Sequence, residues 1–146
     1  MAVMTAAPIV LGQLMERNLS EVFSERDPAR RRRAIAHLYA EDCAFYEADG
    51  EHIGQAAISD RVGLILDQSP LGFAFSLVGP ADVIHDVGRL RWQTGPAESP
   101  PVLRGMDVAC FAKEKIRALY TFIETDAAKE FTGAPGARAN RRGGAA

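Results

Sequence analysis

No apolar run in the 146-residue chain approaches the length needed to cross a bilayer. The N-terminal stretch MAVMTAAPIVLGQLMER has no Lys or Arg before Arg17. It lacks the basic segment of a secretory signal and reads as the lead into a helix. A large charge of either sign is missing too: 17 basic and 19 acidic side chains leave a formal net charge of −2. That balance gives no reason to expect nucleic acid or an anionic membrane as partner. Cysteine is scarce, and Cys43 and Cys110 stand far apart in apolar, strand-like runs. The expectation is two buried free thiols in a reducing compartment, hence a cytoplasmic protein without a disulfide framework. Internal repeats, a phosphate-cradling glycine loop and a Ser-His-Asp or Cys-His arrangement at motif spacing are also missing.

What is present is an ordinary globular composition, 47% apolar and 25% charged. The length fits one domain, expected over residues 1–126. Residues 127–146, whose only large apolar side chain is Phe131, are expected to be a disordered tail. Leu11, Leu14, Met15, Leu19 and Val22 recur at helical spacing, which predicts a helix from Ile9 to Phe23. Asn18, seven residues after Leu11, falls on its inward stripe and needs a hydrogen-bond partner. Asp27-Pro28 reads as an N-cap and first helical residue, opening a second helix to about Tyr39. The run Arg30 to Arg33 reads as a solvated helix face. A short strand, Cys43 to Glu47, runs into the turn Ala48-Asp49-Gly50, where Gly50 is expected to supply a positive φ. A third helix follows from Gln55 to about Gln68. Then come strand-like runs at Phe73–Val78, Ala81–His85, Arg89–Thr94, Val102–Ala112 and Lys115–Thr125. Helices followed by strands predict an α+β fold, with helices on one face of a curved antiparallel sheet.

Asp107 is the most informative polar residue, because it interrupts the apolar strand Gly105-Met106-Asp107-Val108-Ala109-Cys110-Phe111. Alternation sets Gly105, Asp107, Ala109 and Phe111 on one face. A buried carboxylate there must pair with a cation or keep a raised pKa. Arg89, Arg91 and Arg104 are the candidate partners for a purely structural ion pair. Glu47 closes its strand and shares a face with Phe45, so it points inward if Phe45 does. His52 stands after the turn, within reach of a cavity mouth. Glu47, Asp49 and His52 lie on an irregular turn without a fourth ligand, so no metal site is expected. Tyr46, Phe73, Trp92 and Tyr120 are aromatic candidates for a cavity wall, each equally at home in a plain core. Leu90 shares a face with Trp92.

The segments AIAHLYAEDCAFYEADG (Ala34–Gly50), GQAAI (Gly54–Ile58), HDVGRLRWQTGP (His85–Pro96) and GMDVACF with KIRALYTFIE (Gly105–Glu124) resemble the nuclear transport factor 2-like superfamily. That group includes ketosteroid isomerases, SnoaL-like polyketide cyclases, scytalone dehydratase and limonene epoxide hydrolase. The resemblance covers roughly Leu11 to Thr125. It implies a cone-shaped curved sheet wrapped around N-terminal helices, one apolar pocket, no cofactor, and a homodimer through the outer face of the sheet. By the same resemblance Glu47 stands at the position of the isomerases' general base and Asp107 at that of their protonated acid. Asn18 takes the place of their helix-one tyrosine, where an amide can still donate to an oxyanion. In the epoxide hydrolases' set, Arg91 and Thr121 stand where aspartates are required.

Two functions lead the expectations, with an epoxide hydrolase-like activity ranked third. The first is an isomerase- or cyclase-like enzyme acting on a small, apolar carbonyl compound. Glu47 would be the base, Asp107 and Asn18 the oxyanion donors, and Tyr46, His52, Phe73, Leu90, Trp92 and Tyr120 the wall. The second is a non-catalytic ligand-binding or dimerisation module, in which Asp107 is salt-bridged and Glu47 faces water.

Overall fold

The computed structural model describes residues 7–124. Helix α1 spans Pro8–Arg17 and continues into a π-helical turn, Asn18–Val22, closed by the Phe23 N–H donating to the Asn18 carbonyl at 3.0 Å. Helix α2 spans Pro28–Leu38, with Pro28 in the first turn and the Asp27 side chain accepting from the Arg30 N–H at 2.8 Å. Strands β1 (Tyr39–Glu47) and β2 (Gly50–Ile53) form a hairpin, followed by α3 (Gln55–Asp67). The remainder is strand: β3 (Phe73–Leu77), β4 (Asp82–Ile84), β5 (Val87–Pro96), β6 (Leu103–Ala112) and β7 (Lys115–Glu124). No helix of the described residues is long and apolar enough to cross a membrane.

The strands form one open seven-stranded sheet in the order β2-β1-β7-β6-β5-β3, with β4 also paired to β5. The pairings are antiparallel except β1 with β7, which is parallel, so the sheet is mixed rather than purely antiparallel. The three helices cover one face. Leu11, Met15, Val22, Ile35, Leu38, Ile58 and Val62 pack with Leu90, Ala109, Phe111, Ile116 and Leu119 of the sheet. Apart from Ala109, each such side chain contributes about 1.5–3 kcal/mol when fully buried.

Several local expectations are corrected. The predicted single helix Ile9–Phe23 carries the π-helical turn at its C-terminal end, which rotates Leu19 and Phe23 toward the same space. Strand β2 occupies residues that looked like turn alone. Gly50 is not among the residues of positive φ; Gly54 is, at 93°. The arginine run is not wholly solvated. Arg31 is buried, its Nε on Ser59 Oγ at 3.2 Å and its Nη1 on the Glu25 carbonyl at 2.7 Å. Cys43 is buried, but Cys110 is only half-buried on the outer face; both are free thiols. The expected tail lies outside the described residues.

Candidate functional site

Between the inner face of the sheet and the helices lies a cavity of about 330 Å³, at the small end of the ~300–1,000 Å³ common for ligand pockets. Its wall is largely apolar: Leu19 and Phe23 from the π-helical turn, Phe45 from β1, Ile65 from α3, Phe75 from β3, Trp92 from β5, Leu103 from β6 and Ile123 from β7. Four of its rings form an edge-to-face chain. Phe23 meets Phe45 with centroids 5.4 Å apart and Phe75 at 6.2 Å, and Phe75 meets Trp92 at 5.1 Å. Such T-shaped contacts suit the quadrupoles of aromatic rings.

Asp107 stands in this wall through strand register. On β6 it lies directly opposite Thr121 of β7, and Trp92 of β5 is its diagonal neighbour, opposite Gly105. Thr121 Oγ1 and Trp92 Nε1 donate to Asp107 Oδ1 at 2.8 and 2.9 Å. Oδ2 accepts no hydrogen bond from the described residues. The two donors are neutral, and among the described residues no cation pairs with this carboxylate. Burial therefore dominates, and the Asp107 pKa is pushed up to about 6 despite both donors. Gly105 makes the contact possible. A Cβ there would stand 2.7 Å from Trp92 Cε2 and 2.6 Å from the Phe122 carbonyl oxygen, so only glycine lets the indole lie across β6.

Glu47 also lines the cavity, but it is not free. Arg61 of α3 clasps it, Nε to Oε2 at 2.6 Å and Nη2 to Oε1 at 3.0 Å. His52 Nε2 is 2.8 Å from Oε2 and acts as the donor to an ionised carboxylate. The imidazole is stacked on Phe45 at 5.6 Å. Burial alone would raise the Glu47 pKa, but the hydrogen bonds from Arg61 and His52 outweigh it and hold the pKa below the ordinary carboxylate range. The same bonding raises Arg61.

Of the residues singled out from sequence, Glu47, Trp92 and Asp107 share the cavity wall. Asn18 does not line it. It is buried, its Oδ1 accepting from the Tyr39 hydroxyl at 2.6 Å. Burial pushes the Tyr39 phenol well above its usual pKa, with the nearby Asp107 charge adding to the rise. His52 lies behind Glu47 rather than in the wall. Tyr46 and Tyr120 are corrected to the outer face, where their rings stack 4.8 Å apart. Alternation along β1 and β7 that turns Phe45, Glu47, Thr121 and Ile123 inward turns these two outward. Phe73 is too far along the sheet, opposite Pro96 at the end of β5, and Phe75 takes its place. Leu90 is sealed in the core. The arginines proposed as structural partners of Asp107 are elsewhere: Arg89 pairs with Asp82, Arg91 with Glu124, and Arg104 is exposed. Sequence reasoning missed Arg61 and Thr121 as partners of the two acids. Thr121 is one register step away once β6 and β7 are paired; Arg61 has no local signal.

No family model and no curated protein matches this sequence. Solved structures do match. A protein described as an isomerase of the SnoaL-like family from Agrobacterium tumefaciens is similar at 21% identity and TM-score 0.69, over 80% of this chain and 97% of that one. A nuclear transport factor 2-like protein of unknown function from Mesorhizobium loti is similar at 23% identity and TM-score 0.62, over 84% and 98%. This chain has the nuclear transport factor 2-like fold. A de novo designed protein with a curved β-sheet reaches TM-score 0.65 at 7% identity, over 88% and 96%. This fold therefore arises without any inherited activity, and function must be argued from the cavity.

Proposed function

We propose that this nuclear transport factor 2-like chain is a cofactor-independent enzyme that moves a proton at the carbon beside a carbonyl group of a small, largely apolar molecule. The observation that carries the reading is Asp107. It is a buried carboxylate in an apolar-walled cavity, fixed through one oxygen by two neutral donors, with the other oxygen unoccupied and a pKa of about 6. A base poised near the working pH combines a sufficient ionised fraction with useful basicity. Glu47 is less suited, because Arg61 and His52 stabilise its charged form. The role of base expected of Glu47 thereby passes to Asp107, and Glu47, held ionised, takes no oxyanion-donor role. Asp107 Oδ2 takes the α-proton, the C–H electron pair passes into the enolate, and Asp107 returns the proton to the same or a conjugated carbon. Asn18 serves Tyr39 rather than the substrate. A likeness to an isomerase-described structure is consistent with this chemistry but shows the fold alone.

The test is hydrogen–deuterium exchange at the α-carbon of 1-tetralone in D₂O, followed by NMR. Exchange should rise with pH through about 6 and level off, because the ionised carboxylate is the active form. Asp107→Asn should abolish it, and undiminished exchange in that variant would sink the proposal. The non-catalytic binding module is the weaker reading, since it requires Asp107 in an ion pair and Glu47 facing water. As a separate proposal, the outer face of the sheet carries a homodimer contact around Tyr46, Tyr120 and Phe122.

A further inference from the structure

Arg61 is the one cation among the described residues of the cavity wall. Glu47 engages it edge-on, taking both Nε and Nη2. Bidentate pairing of this kind uses up one edge of the guanidinium and matches its charge. Its Nη1 makes no hydrogen bond among the described residues. Glu47 itself takes three hydrogen bonds, from Arg61 Nε and His52 on Oε2 and from Arg61 Nη2 on Oε1. The remaining polar wall is Asp107 with Thr121, and the neutral Gln68 and Ser69. The wall therefore sets two carboxylates against one guanidinium already paired.

A ligand carboxylate entering this space would shed strongly bound water and gain no net positive charge in return. It would also stand beside two like charges, an arrangement that discriminates by repulsion. A neutral carbonyl oxygen loses less on leaving water and satisfies the unused Nη1–H. The apolar remainder of the wall, with its edge-to-face rings, accepts a planar ring system.

We propose that Arg61 is the cavity's polar anchor, and that its pairing with Glu47 tunes the site to neutral, ring-bearing carbonyl compounds and against carboxylates. The proposal rests on reading this cavity as a ligand site. In that reading Arg61 Nη1 donates to the carbonyl oxygen and also faces the enolate oxygen as charge develops there.

The chain has a single tryptophan, so a ¹⁵N-labelled sample has one indole N–H resonance, and Trp92 lies in the cavity wall. Titrating it with 2-acetylnaphthalene and with 2-naphthoate compares a methyl ketone with a carboxylate of nearly the same shape. At pH 7 the ketone should move the resonance saturably, with a Kd at least tenfold below that of the naphthoate. Glu47→Gln releases the guanidinium's charge and should turn the preference toward the naphthoate. Arg61→Gln should weaken the ketone about tenfold. Naphthoate binding as tightly as the ketone to the wild type overturns the proposal, and so does failure of both to move the resonance. The wild-type comparison stands even if a variant does not fold. The two proposals fail separately. Exchange lost in Asp107→Asn with no preference for the ketone refutes only the ligand selectivity. A clear preference with exchange intact in that variant refutes only the proton transfer.

Discussion

Asp107 is an acid placed where its charge is costly, and that cost has a pH signature. Its pKa rises from an ordinary 3.8 to about 6 on folding. A folded-state pKa above the unfolded one means a contribution that is fully present below about pH 4 and lost as pH rises through 6. At roughly 1.4 kcal/mol per pKa unit, the native state carries about 3 kcal/mol of penalty at neutral pH. Asp107→Asn keeps an oxygen for Trp92 and Thr121 and removes the charge. Urea unfolding should show the variant gaining stability over the wild type between pH 4 and pH 7. A difference that stays flat across this window would contradict the buried, unpaired carboxylate. The anomaly of Asp107 was legible in the sequence, as one acid in an apolar strand. Its partners were not, because Trp92 and Thr121 reach it only through the pairing of three strands.

Strand register does the positioning at the next scale, and Gly105 is where it is tightest. Gly105→Ala would set a methyl against the indole and against the Phe122 carbonyl. Overpacking of this kind costs about 1–3 kcal/mol. The variant should lose that much in urea unfolding, and its indole N–H resonance should move upfield as the bond to Asp107 breaks. A resonance in the wild-type position would show that Gly105 is dispensable. The helices and the long strands were readable from periodicity and from the Asp27-Pro28 cap. Strand β2 was hidden inside a cluster of turn-forming residues. Alternation was legible in β1: the parity that sets Glu47 beside Phe45 puts Tyr46 on the other face. The parallel register of β1 and β7 has no local signal, since nothing in either strand encodes which neighbour it will meet.

For the whole molecule, the outer face of the sheet is the surface to probe. The Tyr46–Tyr120 stack lies on it beside Phe122, which is 60% exposed. Large exposed apolar side chains gathered on one face mark contact surfaces more often than isolated ones do. Light scattering should give the wild type a dimer mass and Phe122→Glu a monomer mass; a monomeric wild type would remove the homodimer proposal. The candidate site draws on the same long-range architecture. Glu47 lies on β1, and Asp107 and Thr121 lie 60 or more residues later on β6 and β7, with β1 closed onto β7 in parallel. Contacts of such sequence separation form slowly, because loop-closure entropy is met before the pairing is gained. During synthesis, Phe45 and Glu47 emerge long before the strand that completes their surroundings. The edge of β1 is left without its β7 partner until residues 115–124 arrive, so the cavity cannot close around Phe45 and Glu47 before then.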